Sequence, residues 1–355
     1  MNDFQNGLLF SLFSICQFFA TPFIGRLSDK YGRKPLLLIS LAGTAVSFLM
    51  MAFAPSAIFL FIARALDGIT AGNIPVASAV ISDTTEPKDR AKGFGIIGAS
   101  FGFGVIFGTA ISGLTVVFGT SGPFLIAAAV TILAIVLTIG ILPETNKHMA
   151  SAKSGKLFDI HKLVMAIFDE NVGMTLLISL LYSFAFGLFI YAYQPVSVKF
   201  LHLTVQQISL NFTLFGVVGL VSQAVIIPAV NKKFSEHKIL TCSLCLATLT
   251  FLSLFFTRTL IVLIIVSIFH ALANAFVTPL IQTLLSKEVD QKSQGEIQGV
   301  NASYVSVGFI FGPIVGGIIA TLYIPLPFLL GSLFCLVCTM LSFQILRKSA
   351  VVHLG

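Results

Sequence analysis

The sequence predicts an all-α polytopic membrane protein made of two parallel-repeat helical bundles. Three observations carry that prediction. Apolar residues gather into eleven runs of bilayer length, basic residues keep to alternate connections, and the two halves correspond at a constant offset of 204 positions.

The runs come first. Of 355 residues 56% are hydrophobic and only 10% charged, with a mean hydropathy of +0.99. A soluble domain carries roughly a quarter charged residues, so no water-soluble fold of this length hides so much apolar surface. The runs lie at 7–27, 35–54, 57–80, 91–118 and 123–142, then at 172–196, 205–230, 239–256, 260–285, 297–322 and 327–346. Each is close to the roughly 20 residues a helix needs to cross a bilayer. Barrel strands would be about ten residues long and would alternate apolar with polar; here the runs are continuous, and a helix satisfies its own backbone in lipid.

The net charge of +7 does not require a nucleic-acid partner. All but three of the 21 basic residues lie on odd-numbered connections; Lys199 and Arg258 lie near even ones and Arg64 is inside a run. Short cytoplasmic loops are enriched in Lys and Arg, so the odd connections and the C-terminus are cytoplasmic. The expected location is therefore an integral, multi-pass protein of the plasma (inner) membrane.

The five cysteines fall inside apolar runs. Cys242/Cys245 and Cys335/Cys338 have the C-x-x-C spacing of metal or redox sites, but no His or acidic residue neighbours either pair, and they read as small apolar packing residues. No cofactor is expected. The first run is too long for a signal peptide and leads directly into motif residues.

The repeat orders these elements. Gly25 maps to Ala229, Lys34 to Lys238, Pro75 to Pro279, Phe107-Gly108 to Phe311-Gly312 and Gly113 to Gly317. Matched elements face the same way, so the repeats are parallel and related by an axis along the membrane normal. Parallel repeats need an even number of spans each. The second has six and the first five, and the counterpart of 172–196 falls before Met1. The expected domains are an N-terminal bundle at 1–142, a cytoplasmic linker at 143–171 with an amphipathic segment near 157–168, a C-terminal six-helix bundle at 172–346, and a cytoplasmic tail at 347–355. Five plus six spans of a six-plus-six plan imply a truncated chain, a misassigned start or an eleven-span variant.

The most specific motif is Gly25-Arg-Leu-Ser-Asp29-Lys-Tyr-Gly32-Arg33-Lys34-Pro35. Its glycines permit a tight turn between two helices, its basic residues hold the loop inside, and Asp29 is suited to a helix N-terminus, where negative charge is favoured. This run resembles the cytoplasmic loop signature of the major facilitator superfamily. Arg64-x-x-x-Gly68 resembles the following signature span. Leu66-Asp-Gly-Ile-Thr, Ile81-Ser-Asp-Thr-Thr85 and Gly98-Ala-Ser-Phe-Gly-Phe-Gly104 are similar to the tetracycline and multidrug:proton antiporters of the twelve-span group. The antiporter signature departs from its usual form at Gly108-Thr109-Ala-Ile-Ser112-Gly113, whereas Gly312-Pro313-Ile-Val-Gly316-Gly317 carries the full form in the second repeat.

The resemblance implies the major facilitator fold, with Gly25, Asp29, Gly32 and Arg33 as a conformational latch. Arg64 and Asp67 share a helix face at i, i+3 inside a span, where each charge costs about 2.5–3.5 kcal/mol. They read as a proton-coupling pair or as a structural ion pair that holds the helix. The glycine runs, including Gly104, Gly108, Gly113, Gly312, Pro313, Gly316 and Gly317, permit close helix contact; the resemblance adds a contact that changes between states. Gln17, Tyr191, Gln194, Asn211, Gln223, His270, Asn274, Gln282, Asn301 and Tyr304 are the candidates for lining a substrate cavity, with simple interhelical hydrogen bonding as the other reading.

The expected function is secondary active transport, proton-coupled efflux of small amphipathic compounds by alternating access. The alternatives are a facilitator or importer of a polar metabolite on the same fold, or a truncated non-transporting relative. The expected partners are a small-molecule substrate, protons and the lipid bilayer, with the chain acting as a monomer. No G-x-x-x-x-G-K-S/T run is present to bind a nucleotide, and no nucleophile–base or metal constellation suggests an enzyme.

Overall fold

The computed structural model describes residues 2–85, 90–146, 164–169, 171–289 and 294–352. Among them there is no strand. The basic positions expected within 147–163 and residues 157–163 of the expected amphipathic segment lie outside the described residues; of that segment's remainder, 164–166 are helical and 167–168 form a turn.

In the first half the helices are α1 (Asp3–Tyr31), α2 (Arg33–Ala52), α3 (Ala57–Thr70), α4 (Ile74–Thr84), α5 (Arg90–Thr115) and α6 (Gly122–Ile141), with a 3-10 turn at Val116–Phe118. In the second half they are α7 (Gly173–Pro195), α8 (Val205–Val221), α9 (Ile227–Asn231), α10 (Glu236–Phe256), α11 (Leu260–Lys287), α12 (Gln294–Ala320) and α13 (Leu326–Val352). Single π-turns follow α7 at Val196–Phe200 and α8 at Ser222–Ile226. Among the described residues ten helical stretches are long and apolar enough to span a membrane. The eleventh run, 91–118, is α5 with its 3-10 turn; its described side chains form the apolar helix Gly102–Phe118.

Two expected runs differ from single straight helices. The run at 57–80 breaks at Ala71–Asn73 into α3 and α4, with Pro75 in the first turn of α4, where its missing N–H is harmless. The run at 205–230 passes through the π-turn at Ser222–Ile226 before α9, where Pro228 follows. The last helix continues through Val352, past the expected boundary at 346.

Helix ends are capped by polar groups chosen by the sequence. Asn2 and Gln5 exchange side-chain-to-backbone hydrogen bonds at the start of α1, and Thr204 and Gln207 do the same for α8, each pair satisfying two otherwise orphaned N–H groups. Ser56 accepts from the Phe59 N–H at α3, and Asp169 from the N–H groups of Asn171 and Val172 at α7. Within the spans, hydroxyls such as Thr109, Thr131 and Thr248 donate to the carbonyl four residues back, which keeps them satisfied in an apolar setting.

The chain divides into two compact units. One comprises Leu12–Phe158; the other joins Asn2–Ser11 to Asp159–Gly355. The first turns of α1 belong with the second unit because Gly7 lies against the Pro313 carbonyl of α12 so closely that a Cβ there would overlap it. In the second unit α12 packs on α7 through Gly308, Gly312 and Gly187: a Cβ on Gly312 would lie 2.8 Å from the Gly187 Cα. Lipid gives helices no hydrophobic reason to associate, so contacts of this backbone-to-backbone kind carry the packing. The core of this unit is filled by Leu176, Phe189, Tyr191, Phe251 and Phe328, all fully buried, and by Cys335 and Cys338 in the packing role expected of them, whereas Cys242 and Cys245, expected to pack likewise, are exposed.

Candidate functional site

In the first unit the loop signature forms the Tyr31–Arg33 junction between α1 and α2. Gly32 stands there with φ +102° and ψ 158°, a conformation essentially confined to glycine. Arg33 extends back along α1, bridging Asp29 at 2.7 Å and donating to the Ser28 hydroxyl at 2.7 Å. Its Nε also donates to Asp83 at the end of α4, at 3.2 Å. Gly25 leaves open space above α1, and its carbonyl accepts from Ser28.

Asp29 does not occupy a helix N-terminus as its position suggested. The carboxylate at the start of α2 is Glu144, from the segment after α6. It accepts from the backbone N–H groups of Arg33 at 2.9 Å and Lys34 at 3.0 Å, and from that of Asn146 at 2.8 Å. Asp29 is held instead by Arg33, because one turn of helix brings an i, i+4 pair together. Thr145 donates to Asp83, and Asn146 donates to the Asp29 carbonyl at 2.9 Å. Partial burial alone would raise the Glu144 carboxyl; the N–H groups of Asn146, Arg33, Lys34 and Thr145 outweigh it and hold the pKa below its ordinary value. Lys34 turns the other way and donates to the Ile139 carbonyl of α6 at 2.8 Å. Four elements thus meet in one polar cluster on the face that the charge pattern assigns to the cytoplasm. Asp83, Glu144, Thr145 and Asn146 are its members that sequence reasoning missed. The available signal was an acidic residue at the end of a span, beside a junction otherwise rich in cations.

Deeper in the same unit, Arg64 Nη1 donates to Asp67 Oδ2 at 3.0 Å on α3. The Asp67 side chain is 8% exposed and that of Arg64 24%, so the pair faces inward. The guanidinium also lies 4.8 Å over the Phe13 ring of α1, a favourable seat for a cation. Gly68 lets α1 come close: a Cβ there would overlap the Phe13 carbonyl and approach the Cys16 Cβ at 2.8 Å. Gln17, one turn further along α1, donates its amide to the Ala71 carbonyl at 3.1 Å, at the break between α3 and α4. Gln17 and the ion pair are therefore close neighbours around one break in one helix.

The other expected cavity residues divide by exposure. His270 is fully buried on α11, hydrogen-bonded through Nδ1 to Thr250 at 3.0 Å, and ringed by Phe186, Phe189, Phe215 and Phe251. Its Nε2 is buried without a partner. Asn274, one turn on, accepts from Tyr182 at 3.0 Å; Asn301 accepts from Ser179 at 2.5 Å; Asn211 donates to Tyr193 and, at 3.3 Å, to Ser267. Tyr304 is buried on α12. Tyr191 donates to the Asp3 carbonyl at 2.9 Å and, with Gln194, Asn6 and Phe10, borders a cavity of about 160 Å³ in the second unit. Gln194, Gln223 and Gln282 are exposed.

The glycine series also divides. Gly312, Gly316 and Gly317, with Pro313, form tight contacts: a Cβ on Gly316 would lie 2.8 Å from Tyr191 Cδ1, and one on Gly317 2.8 Å from the Asp3 carbonyl. Gly113 is buried. Gly104 and Gly108 do not make the expected contact; both are exposed, and a Cβ on either would have nothing within 4 Å. In the second unit α7 closes the equivalent face, whereas no described helix lies within reach of these two positions.

The comparisons with known proteins agree with this architecture. The Major Facilitator Superfamily profile matches residues 1–195 and again 175–352. The chain is 29% identical over 342 residues to tetracycline resistance protein, class C, of Escherichia coli, covering 94% of this chain and 85% of that protein. It is 31% identical over 333 residues to multidrug resistance protein 2 of Bacillus subtilis (strain 168), covering 91% and 82%. The solved structure of a bacterial homolog to the human lysosomal transporter Spinster superposes with a TM-score of 0.79 at 14% identity, covering 98% of this chain and 90% of that one. A paired repeat of membrane-spanning helices, a loop signature built into a polar cluster, and matches to both halves lead to one conclusion: this chain belongs to the major facilitator superfamily and is an integral, multi-pass membrane transporter.

Proposed function

We propose that the protein exports small amphipathic compounds in exchange for protons, by alternating access, with the Arg64–Asp67 pair as the proton-coupling element. The carrying observation is that pair, joined at 3.0 Å in the interior of the first unit with Asp67 almost fully buried. A buried carboxylate held by one cation is a two-state device. Deprotonated, it keeps Arg64 neutralised; protonated, it releases a guanidinium that is costly to leave unpaired in a membrane.

The surroundings suggest where that change goes. Asp67 lies one turn before the break at Ala71–Asn73, and its carbonyl accepts from the Ala71 N–H at 2.8 Å. Gln17 holds the same break from α1. A shift of the pair therefore bears directly on the angle between α3 and α4, and Asp83 in the last turn of α4 is in contact with Arg33. This path connects a proton at Asp67 to the loop cluster, which acts as the latch. The names of the relatives, tetracycline and multidrug resistance proteins, support drug-like compounds as the substrate class.

The test is proton–substrate exchange in everted membrane vesicles. A panel of amphipathic compounds, tetracycline included, is added and lumenal pH is followed. Wild-type protein releases protons on substrate addition, and Asp67→Asn abolishes that release while still binding compound in detergent. Unchanged exchange by Asp67→Asn removes the residue from the coupling role.

A further inference from the structure

A cavity of about 290 Å³ lies within the second unit, between the end of α9, the first turns of α10 and the middle of α11. Phe234, Ile239, Leu246, Leu272 and Phe276 line it, and Lys238 is its one charged lining residue. Lys238 and Leu246 are eight residues apart on α10, so the groove runs about 12 Å from its charged end into apolar depth. The charged end belongs to the connection after the seventh apolar run, which the charge pattern places in the cytoplasm.

That end has cations to spare. Lys232 and Lys233 stand on the same connection, and neither they nor Lys238 forms an ion pair among the described residues. Glu236, the acid nearest in sequence, is taken by Lys287, whose ammonium lies 2.7 and 2.6 Å from its two carboxylate oxygens. Phe234, which also lines the cavity, is 57% exposed. An apolar slot lined at one end by an unpaired lysine, on a basic connection that the charge pattern places in the cytoplasm, has the two-part chemistry of an anionic phospholipid.

We propose that this groove is a binding site for an anionic glycerophospholipid of the cytoplasmic leaflet, with an acyl chain along Leu246, Leu272 and Phe276 and the headgroup phosphate against Lys238, Lys232 and Lys233. The site is independent of the Arg64–Asp67 pair and of the transport reading. Charge complementarity selects the lipid class, and the depth of the slot separates a specifically held lipid from one merely attracted to a basic loop.

The experiment is native mass spectrometry of the purified full-length protein in detergent, with phosphatidylglycerol or phosphatidylcholine added. Wild-type protein retains phosphatidylglycerol in preference, and the combined Lys232→Gln, Lys233→Gln and Lys238→Gln substitutions lower that retention by about tenfold or more. Cys242→Trp, which fills the groove and keeps the lysines, lowers it as well. The melting temperature in the same detergent reports folding separately, and Lys238→Gln alone serves if the combined variant melts early. Equal retention of the two lipids by the wild type, or undiminished phosphatidylglycerol binding by the lysine variants, overturns the proposal. So does normal binding by Cys242→Trp, which leaves only a basic surface. Displacement by millimolar inorganic phosphate makes the site a plain anion site, and displacement by an uncharged amphipathic compound equally in wild-type and lysine variants makes it a substrate port; both outcomes overturn the lipid assignment.

Discussion

The Oε2 atom of Glu144 lies 2.5 Å from where a Cβ on Gly32 would stand. The junction between α1 and α2 is thus shaped by a residue more than a hundred positions away. Glycine is required there twice over, for its φ of +102° and for the space that lets the carboxylate reach the Arg33 and Lys34 N–H groups. Gly32→Ala is expected to destabilise the first unit by about 1–3 kcal/mol from backbone strain, and by more if Glu144 is displaced. Thermal unfolding in detergent checks this; an unchanged melting temperature contradicts it.

Glu144 makes a pH-dependent contribution of known sign. Its folded pKa lies below the ordinary value of 4.5, so the unfolded chain takes up the proton first. The stabilisation is complete above the ordinary glutamate range and is lost as pH falls through the lower, folded value. The group is mostly exposed, so the effect is local. Hydrogen exchange of the Arg33 and Lys34 amides is expected to accelerate between about pH 5 and pH 3 beyond the intrinsic trend in the wild type. Glu144→Gln should follow the intrinsic trend alone.

Arg64 and Asp67 separate stability from coupling. Asp67→Ala leaves a cation unpaired inside a span and is expected to lower stability by about 2.5–3.5 kcal/mol. Replacing both, Arg64→Leu with Asp67→Leu, removes both buried charges and should restore stability to within about 1 kcal/mol of the wild type. Both variants should lose substrate-driven proton release. Recovery of exchange in the double variant would make the pair purely structural.

The equivalent glycines of the two repeats should respond differently. Gly312→Ala puts a Cβ 2.8 Å from the Gly187 Cα, a backbone clash expected to cost about 1–3 kcal/mol. Gly104→Ala and Gly108→Ala meet nothing within 4 Å and should leave the melting temperature unchanged or slightly raised, since alanine favours the helix by about 1 kcal/mol.

Gln17 tests the helix break. Gln17→Leu removes the donor to the Ala71 carbonyl; a single interhelical hydrogen bond in a membrane is worth about 0.6 kcal/mol, so stability should barely move. Proton–substrate stoichiometry should fall, because the break then no longer follows α1. Wild-type stoichiometry would show that the bond only packs α1 against α3.

Much of this molecule was legible from residues taken in order. Span positions, the parallel repeat and the Arg64–Asp67 contact depend on hydropathy, charge and helical spacing, all local properties that survive without knowledge of neighbours. Asp29 shows the limit: sequence adjacency to α2 made it the natural cap, yet Arg33 holds it and Glu144 takes the helix N-terminus. His270 shows the same limit among the polar residues, since its enclosure by four phenylalanines from three other helices cannot be read from α11.

What the sequence determined by itself is the membrane class, the repeated helical plan and the superfamily, because a bilayer sorts a chain by run length and the loop signature is a local motif. What only the tertiary structure decided is which polar groups meet: Glu144 with the start of α2, Asp83 with Arg33, Gln17 with the α3–α4 break, and Lys238 with an apolar groove. In lipid those pairings rest on close backbone packing and on satisfying each buried polar group. Both depend on which helices touch, and chain order alone does not specify that.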